Sequence, residues 1–381
     1  MQASELKWVD SDMHLSEPVD LWKDYIDPKY KEWMPRWLGE PGKDNPQRDR
    51  IFFQVGPNIP KYTDSDRENP DEKIRASRYP IFEPYMTPDR MQVDAQGQLK
   101  AMGTEKIDIA VLFPTWGATA WQDPAVPPDA ALAIARAYNS WLHDFCKSDP
   151  GRLKVNALIP IMDIDGAVEE IRRAVKELGA VSVWPGCSRA DVRLDDPKWE
   201  PIWAEAERHN VTVSLHGSRQ IHLRARYADS AFLSKLSGRG IEHAVSLMEL
   251  MTGGVMERHP KLRFAFLETG CTWVLYWLFR VQQEWERFSK EMPRLAENMK
   301  RPPMEYWKRQ CWSAVDPDEW TLSAVISVVG DENWVVSSDF PHFDSPFPEA
   351  RQRFMSIPNV SVESKKKILW DNCCRLYNLA C

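Results

Sequence analysis

Short apolar runs alternate with amphipathic helical segments along most of the chain. This alternation constrains the fold most, because parallel strands in one sheet must be joined by crossover connections, usually helices. Between the third and fourth runs, Ala167, Ile171 and Ala174 share one apolar stripe, and Gly179 ends the helix. Eight runs predict an α/β fold, a (β/α)8 TIM-type barrel: residues 6–9, 107–113, 155–159, 181–184, 211–215, 262–267, 311–315 and 334–337.

A long segment, about residues 17–88, separates the first two runs and is rich in proline and charged residues. Such composition is typical of loops, so we interpret the segment as an insertion after strand 1 that lies over the barrel mouth. No linker or internal repeat divides the remainder. Residues 1–381 are therefore predicted to form a single barrel domain.

Charge and cysteine content limit the partners of the chain. The net charge is −7, which argues against nucleic acid, because nucleic-acid binders concentrate positive charge. The sequence has no signal-peptide pattern and no apolar stretch of about 20 residues, so we expect no membrane insertion. Seven cysteines without a CxxC pair favour reduced thiols in the cytoplasm. Eighteen tryptophans are most simply explained by packing.

Polar side chains follow several of the apolar runs, at the end of the barrel where such folds place their chemistry. Asp12 and His14 follow the first run, and alternation along a strand points them to the same side. His216 follows the fifth run and Asp339 the eighth. Each residue taken singly could be a cap or a structural group. Their coincidence at three strand ends predicts a metal site made of Asp12, His14, His216 and Asp339.

Two imidazoles and two carboxylates suit a borderline divalent ion, and the residues do not choose among zinc, manganese and iron, or between one and two ions per chain. Such an ion activates water or polarises a substrate carboxylate or carbonyl. Glu268, after the sixth run, and His342 are the candidates to move a proton. Glu268 could instead pair with an arginine. Glu17 and His243 are candidates for a second metal or for orienting the ligands.

At these residues the sequence resembles the amidohydrolase-related family, in the branch that contains aminocarboxymuconate semialdehyde decarboxylase and hydroxybenzoate-type decarboxylases. The resemblance spans nearly the whole chain. It is carried by VDSDMHLSEP at 9–18, DPKWEPIWAEAERHNVTVSLHGS at 196–218, GGVMERHPKLRFAFLETG at 253–270, SSDFPH at 337–342 and KKILWDNCCRLYNL at 366–379. It implies a barrel with a mononuclear or dinuclear metal site and the same four ligands.

Two departures from the family pattern bear on the mechanism. The first-strand motif His-x-His is here Asp12-Met13-His14, and Glu268 occupies the sixth-strand position where many decarboxylases place a catalytic histidine. No lysine follows the fourth run, where dinuclear hydrolases often hold a carboxylated bridge. The decarboxylase mechanism therefore does not transfer unchanged.

These observations leave three functional hypotheses. The first is a metal-dependent hydrolase or decarboxylase acting on a small molecule that contains a carboxylate or an amide. The second is a non-haem iron oxygenase, because two histidines and a carboxylate also suit that chemistry. The third is a non-catalytic partner subunit whose tryptophans line an interface. A homo-oligomer or a hetero-oligomer is expected.

Overall fold

The computed structural model describes residues 6–15, 17–18, 20–38, 52–56, 77–87, 92–115, 126–186, 193–217, 233, 236 and 239–381. Eight parallel strands form one sheet, in which they pair in chain order. The predicted (β/α)8 barrel is confirmed. Its strands are β1 (Val9–Leu15), β4 (Ile109–Pro114), β5 (Leu153–Leu158), β6 (Ser182–Trp184), β7 (Thr212–His216), β8 (Phe264–Leu267), β9 (Cys311–Val315) and β10 (Trp334–Val336).

The first and last strands of that order meet and bring the sheet round on itself. The Ser11 hydroxyl donates to the carbonyl of Val336 at 3.1 Å. The backbone N–H of His14 donates to the carbonyl of Phe340 at 2.7 Å. Because all eight strands are parallel, their C-terminal ends open on one face of the barrel, where the site residues lie.

Helices follow the barrel strands and cover the outside of the sheet. Short 3₁₀ helices span Pro28–Trp33, Glu83–Tyr85 and Pro197–Trp199, and a π-helical turn spans Lys367–Asp371. The α-helices are α1 (Leu21–Tyr25), α2 (Ala95–Glu105), α3 (Pro128–Cys146), α4 (Ile164–Lys176), α5 (Glu200–Arg208), α6 (Ile241–Thr252), α7 (Val255–Arg258), α8 (Thr272–Phe288), α9 (Pro293–Asn298), α10 (Pro303–Gln310), α11 (Leu322–Val329), α12 (Ala350–Ser356), α13 (Val362–Lys366) and α14 (Asn372–Tyr377).

The predicted bounds of the first strand, residues 6–9, are wrong. The strand runs from Val9 to Leu15 and is buried throughout, although Asp10, Ser11, Asp12 and His14 are polar. Contacts with neighbouring strands and with one another compensate for the burial of these polar side chains. A search for apolar runs therefore does not detect this strand. The bounds of the other seven strands agree with the predicted runs to within two residues.

Segments of the predicted insertion, about residues 17–88, have secondary structure where they are described. Two short antiparallel strands, β2 (Arg36–Leu38) and β3 (Phe52–Gln54), form a separate ribbon. Helix α1 packs against α3, and Tyr25 donates its hydroxyl proton to Asp144 at 2.9 Å. The insertion is therefore attached to the outer helices of the barrel as well as following strand β1. That the whole chain is one domain stays a prediction.

Eight tryptophans of the described residues are buried in the core, as the packing interpretation expects, whereas Trp320 is 76% exposed. Seven of them are less than 2% exposed: Trp8, Trp22, Trp184, Trp199, Trp203, Trp307 and Trp334. They give little support to the idea of a tryptophan-lined interface. Among the described residues, no helix is long and apolar enough to cross a membrane.

The expectation that all the thiols are reduced is wrong for two cysteines. Cys374 and Cys381 form a disulfide between α14 and the C-terminal residue. Sequence spacing did not indicate it, because the pair closes only a short terminal loop. Cys146, Cys271, Cys311 and Cys373 are free and buried.

Candidate metal centre and active site

Strands β1 and β7 and the segment after β10 bring the predicted ligands together. Asp12, His14 and His216 form one group of potential metal ligands, and His14, Asp339 and His342 form another that shares His14. In each group the ligand atoms lie within 4.8 Å of one another. Asp12, His14 and His216 are almost completely buried. The four side chains predicted as ligands therefore converge at the C-terminal ends of the strands.

The two imidazoles face each other in a way that indicates a cation. Nδ1 of His14 lies 3.0 Å from the carbonyl of Pro114, and Nδ1 of His216 lies 3.2 Å from the carbonyl of Gly217. Because a carbonyl oxygen only accepts, each Nδ1 carries the proton and each Nε2 presents a lone pair. The two Nε2 atoms lie 3.1 Å apart. Two facing lone pairs repel each other unless a metal ion or a proton lies between them.

Asp12 completes the case for a metal. Its two oxygens are buried, and neither accepts a hydrogen bond of good geometry among the described residues. The nearest groups are Nε2 of His14 at 3.4 Å and Nε2 of His216 at 3.3 Å. Burial raises the pKa of Asp12, and the charge of His216 opposes this shift. Since a buried carboxylate that accepts no good hydrogen bond is costly, the residues present fit a divalent ion.

The two histidines of β1 and β7 differ in charge when no metal is bound. Burial and the fields of His342 and His216 lower the pKa of His14, which is therefore neutral as a metal ligand must be. Burial also acts to lower the pKa of His216, but Asp12, Glu268 and Asp339 outweigh it and raise the value to about 9. A proton on His216 thus occupies the place that a metal ion would take.

His342 is held between a carboxylate and a hydroxyl. Its Nδ1 lies 2.7 Å from Oδ1 of Asp339, its Nε2 lies 3.3 Å from Oγ1 of Thr115, and its ring lies over His14 with centroids 3.9 Å apart. Burial acts to lower the pKa of His342, but the charges of Asp339, Glu268 and Asp344 raise it. His342 therefore favours the protonated state next to the metal ligands.

Glu268 pairs with an arginine. This is one of the two roles considered for it from sequence, the other being proton transfer. Oε1 of Glu268 accepts from Arg239 in a very short contact, and Oε2 lies 3.4 Å from Nε2 of His216. The same Arg239 nitrogen lies 3.2 Å from Asp344. Burial acts to raise the pKa of Glu268, but the charges of Arg239, His216 and His342 outweigh burial and lower the pKa. Glu268 is therefore ionised.

Two of these acidic residues adopt a backbone conformation that is unusual for side chains with a Cβ. Glu268 has φ +53°, and Asp339 has φ +57°. Both lie where a strand turns away from the barrel, at the C-terminal ends of β8 and β10. Left-handed backbone in residues other than glycine clusters at functional sites, because the surrounding structure must hold it.

Glu17 and His243 lie near the site but in neither group of potential ligands among the described residues. Oε2 of Glu17 accepts from the backbone N–H of Thr115 at 3.3 Å. Nε2 of His243 lies 2.9 Å from the carbonyl of Leu215, directly before His216. These contacts suit a role in orienting the site. A second metal at these residues stays a prediction.

Sequence reasoning missed Arg239 and Thr115. Arg239 belongs to the long connection between β7 and β8, and nothing in its local sequence marks it as a partner of Glu268. Thr115 directly follows β4, so a search for every polar residue after an apolar run would have found it.

Comparisons with known proteins agree with this geometry. The sequence model of a family described as Amidohydrolase matches residues 9–379. The gamma-resorcylate decarboxylase of Rhodococcus jostii (strain RHA1) is 28% identical over 259 residues, which make up 64% of this chain and 76% of that protein.

Two solved structures share the fold. An amidohydrolase from Mycobacterium avium subsp. paratuberculosis K-10 gives a TM-score of 0.76 at 20% identity, covering 98% of this chain and 99% of that chain. A dihydroxybenzoic acid decarboxylase from Polaromonas sp. JS666, solved with manganese and the inhibitor 2-nitroresorcinol, gives 0.68 at 19% identity, covering 98% of this chain and 97% of that chain.

The barrel and the converging histidines and carboxylates define a metal-dependent (β/α)8 enzyme. The chain belongs to the amidohydrolase family. The resemblance to the decarboxylase branch of that superfamily is confirmed.

Proposed function

We propose that the chain is a metal-dependent decarboxylase that removes CO2 from a small aromatic carboxylate. The observation that carries the proposal is the convergence of two facing imidazoles with the buried Asp12 and with Asp339 at one end of the barrel. The relationship to gamma-resorcylate decarboxylase supports the reaction and the substrate class. Decarboxylation is favoured over hydrolysis because that relative is a decarboxylase.

Asp12, His14, His216 and Asp339 would hold the metal, and manganese is favoured because the Polaromonas structure contains it. A divalent ion bound there would polarise the substrate carboxylate or a neighbouring oxygen. The Nδ1 contacts of both histidines fix their rings with Nε2 directed at the site. Their orientation therefore does not depend on the ion.

His342 is the proton donor in this proposal, and Glu268 is not. The pKa of His342 is raised, which favours its protonated form, and the pKa of Glu268 is lowered, which favours its carboxylate. When the bond between ring and carboxylate breaks, the electron pair stays on the ring carbon. The proton on Nε2 of His342 adds to that carbon, CO2 leaves, and His342 regains a proton from water.

Arg239 completes the charge arrangement. Its side chain is 38% exposed, although its guanidinium contacts Glu268 and Asp344. Part of this cation therefore remains accessible from the barrel mouth, where it can attract an anionic aromatic acid. Attraction of this kind selects anionic substrates over neutral ones.

Elemental analysis of the purified protein tests the metal site. We expect one divalent ion per chain, lost in His216→Ala and retained in His209→Gln. His209 is a matched control because it contacts Glu205 on α5 and is not a predicted ligand. Absence of metal from the wild-type protein, even after loading with Mn²⁺, would refute the proposal.

An activity assay separates the chemical alternatives. Protein loaded with Mn²⁺ is incubated with 2,6-dihydroxybenzoate and other hydroxybenzoates, and release of CO2 is measured together with loss of the acid. Dependence on both metal and Asp339, tested with Asp339→Asn, is expected. Hydrolysis of amides or esters without CO2 release would favour a hydrolase, and iron-dependent consumption of dioxygen would favour an oxygenase. Activity that appears only with a second polypeptide would favour a partner subunit.

A further inference from the structure

Strand β1 contains an irregularity at the point where it carries the first metal ligand. Asp10 is paired with Ala110 of β4, but the next pair is Met13 with Leu112. Two residues of β1, Ser11 and Asp12, therefore oppose a single residue of β4. This is a β-bulge, a device that redirects a side chain and is frequent beside active sites.

Asp10 supports the bulge from within. Its side chain is completely buried. Oδ1 accepts a hydrogen bond from the backbone N–H of Asp12 at 3.1 Å. The carboxylate thus satisfies an N–H group at the bulge and fixes the turn of the backbone that aims Asp12 at the other ligands.

The same carboxylate reaches the segment after β10. The backbone N–H of Ser338 donates to both oxygens of Asp10, at 3.2 and 3.1 Å. Ser338 directly precedes Asp339, whose positive φ depends on the chain being held there. One buried side chain therefore binds the backbone beside both acidic metal ligands, which lie more than 300 positions apart in the chain.

A carboxyl group that is completely buried needs partners that compensate for its lost hydration. Among the described residues, no lysine or arginine forms an ion pair with Asp10, so its compensation comes from hydrogen bonds. Burying a carboxylate is unfavourable unless hydrogen bonds compensate for lost hydration. The donors that compensate here are the N–H groups of the two ligand-bearing segments.

We propose that Asp10 is a positioning residue that sets the separation of the Asp12 and Asp339 carboxylates, and thereby the affinity of the site for its divalent ion. This inference rests on the proposed function, because it assumes the metal site. Residues that orient metal ligands typically change metal affinity by about 10-fold to 100-fold when they are replaced.

The test is a comparison of Asp10→Asn with Ser11→Ala. The asparagine has nearly the same shape but offers one acceptor oxygen instead of two. Ser11 is an equally buried neighbour in the same strand, and its hydroxyl also joins β1 to β10, through the carbonyl of Val336. Ser11 therefore controls for a general loss of contact between the two strands. Asp10→Ser, which is smaller, provides a second variant that should fold.

Binding of Mn²⁺ to the metal-free proteins is measured by calorimetric titration, with circular dichroism and thermal unfolding as checks of folding. We expect Asp10→Asn to bind Mn²⁺ about 10-fold to 100-fold more weakly than wild type, and Ser11→Ala to bind like wild type. With saturating Mn²⁺, kcat of Asp10→Asn should recover and KM should remain that of wild type, which a disrupted fold would not permit.

Unchanged affinity in Asp10→Asn would overturn the inference, as would an equal loss of affinity in Ser11→Ala. Failure of Asp10→Asn and Asp10→Ser to fold, while Ser11→Ala folds, would also overturn it, because Asp10 would then be needed for the fold itself. A wild-type protein that binds no metal would refute the proposed function and this inference with it. Tight binding by both wild type and Asp10→Asn refutes the inference alone.

Discussion

Replacing Arg239 by methionine removes the cation that holds Glu268 while keeping most of the side-chain volume. Glu268 is then left 16% exposed and 3.4 Å from Nε2 of His216, without its strongest charge partner. Asp344, at 3.2 Å, also loses its contact with Arg239. We expect the metal-loaded protein to lose stability and the pKa of Glu268 to rise, since the arginine is the main group that lowers it against the effect of burial.

The structure sets the size of this effect. Two unit charges about 4 Å apart interact by about 4 kcal/mol at an effective dielectric constant of 20. Arg239 is 38% exposed, however, and it is shared with Asp344. Solvent screening and the second partner reduce the interaction, so we expect a coupling free energy of about 2 kcal/mol between Arg239 and Glu268.

A double-mutant cycle measures this coupling directly. The free energy of unfolding in urea is determined for wild type, Arg239→Met, Glu268→Gln and the double variant. The matched control is the exposed pair of Arg353 and Asp318, which also meets at 3.2 Å but has side chains 41% and 61% exposed. Its coupling should stay below about 1 kcal/mol. A coupling for Glu268 no larger than that of the control would refute the reasoning.

Three further predictions follow from other contacts. His342→Gln should lower kcat by at least about 100-fold at neutral pH without loss of metal, measured by steady-state kinetics with elemental analysis, because the proposed proton donor is removed. Gly97→Ala should destabilise the protein by about 2 kcal/mol in urea unfolding, since its Cβ would lie 2.0 Å from the carbonyl of Tyr85; Gly103→Ala, on the same helix with nothing within 4 Å, should stabilise it by about 0.5 kcal/mol. Burial lowers the pKa of His243 from 6.5 to about 4. As pH falls below 6.5 the unfolded chain binds a proton at this residue before the folded protein does, so the free energy of unfolding decreases until about pH 4. Urea unfolding should show a loss of about 3 kcal/mol over this pH range relative to His243→Gln, and an equal pH slope in both proteins would contradict the prediction.

The barrel could be predicted from sequence because most of its strands are apolar and fully buried on both faces. The seventh strand, predicted at residues 311–315, spans Cys311–Val315. The first strand was misplaced because four of its buried residues, Asp10, Ser11, Asp12 and His14, are polar. Its polar residues have partners on β4, β7 and β10, which a local pattern of hydrophobicity does not contain.

The site was partly predictable for a related reason. Asp12, His14, His216 and Asp339 each lie at or near the C-terminal end of a strand, and barrel geometry brings such positions together. The bulge at Ser11 and Asp12, the hydrogen bonds of Asp10 and the pairing of Arg239 with Glu268 depend on contacts between distant segments. Local sequence therefore indicates which groups are present, and only the fold gives their charge states.

The charge of Glu268 has a consequence for the mechanism. Many decarboxylases that the sequence resembles have a histidine at this position, and a carboxylate there would add a negative charge beside the substrate. Arg239, from the preceding connection, supplies the compensating positive charge. Glu268 is ionised and held by that pair, whereas the raised pKa of His342 favours its protonated form beside Asp339. Proton delivery in this enzyme should therefore depend on His342, and the pH dependence of kcat should shift when Asp339 or Arg239, which set the charge around it, is replaced.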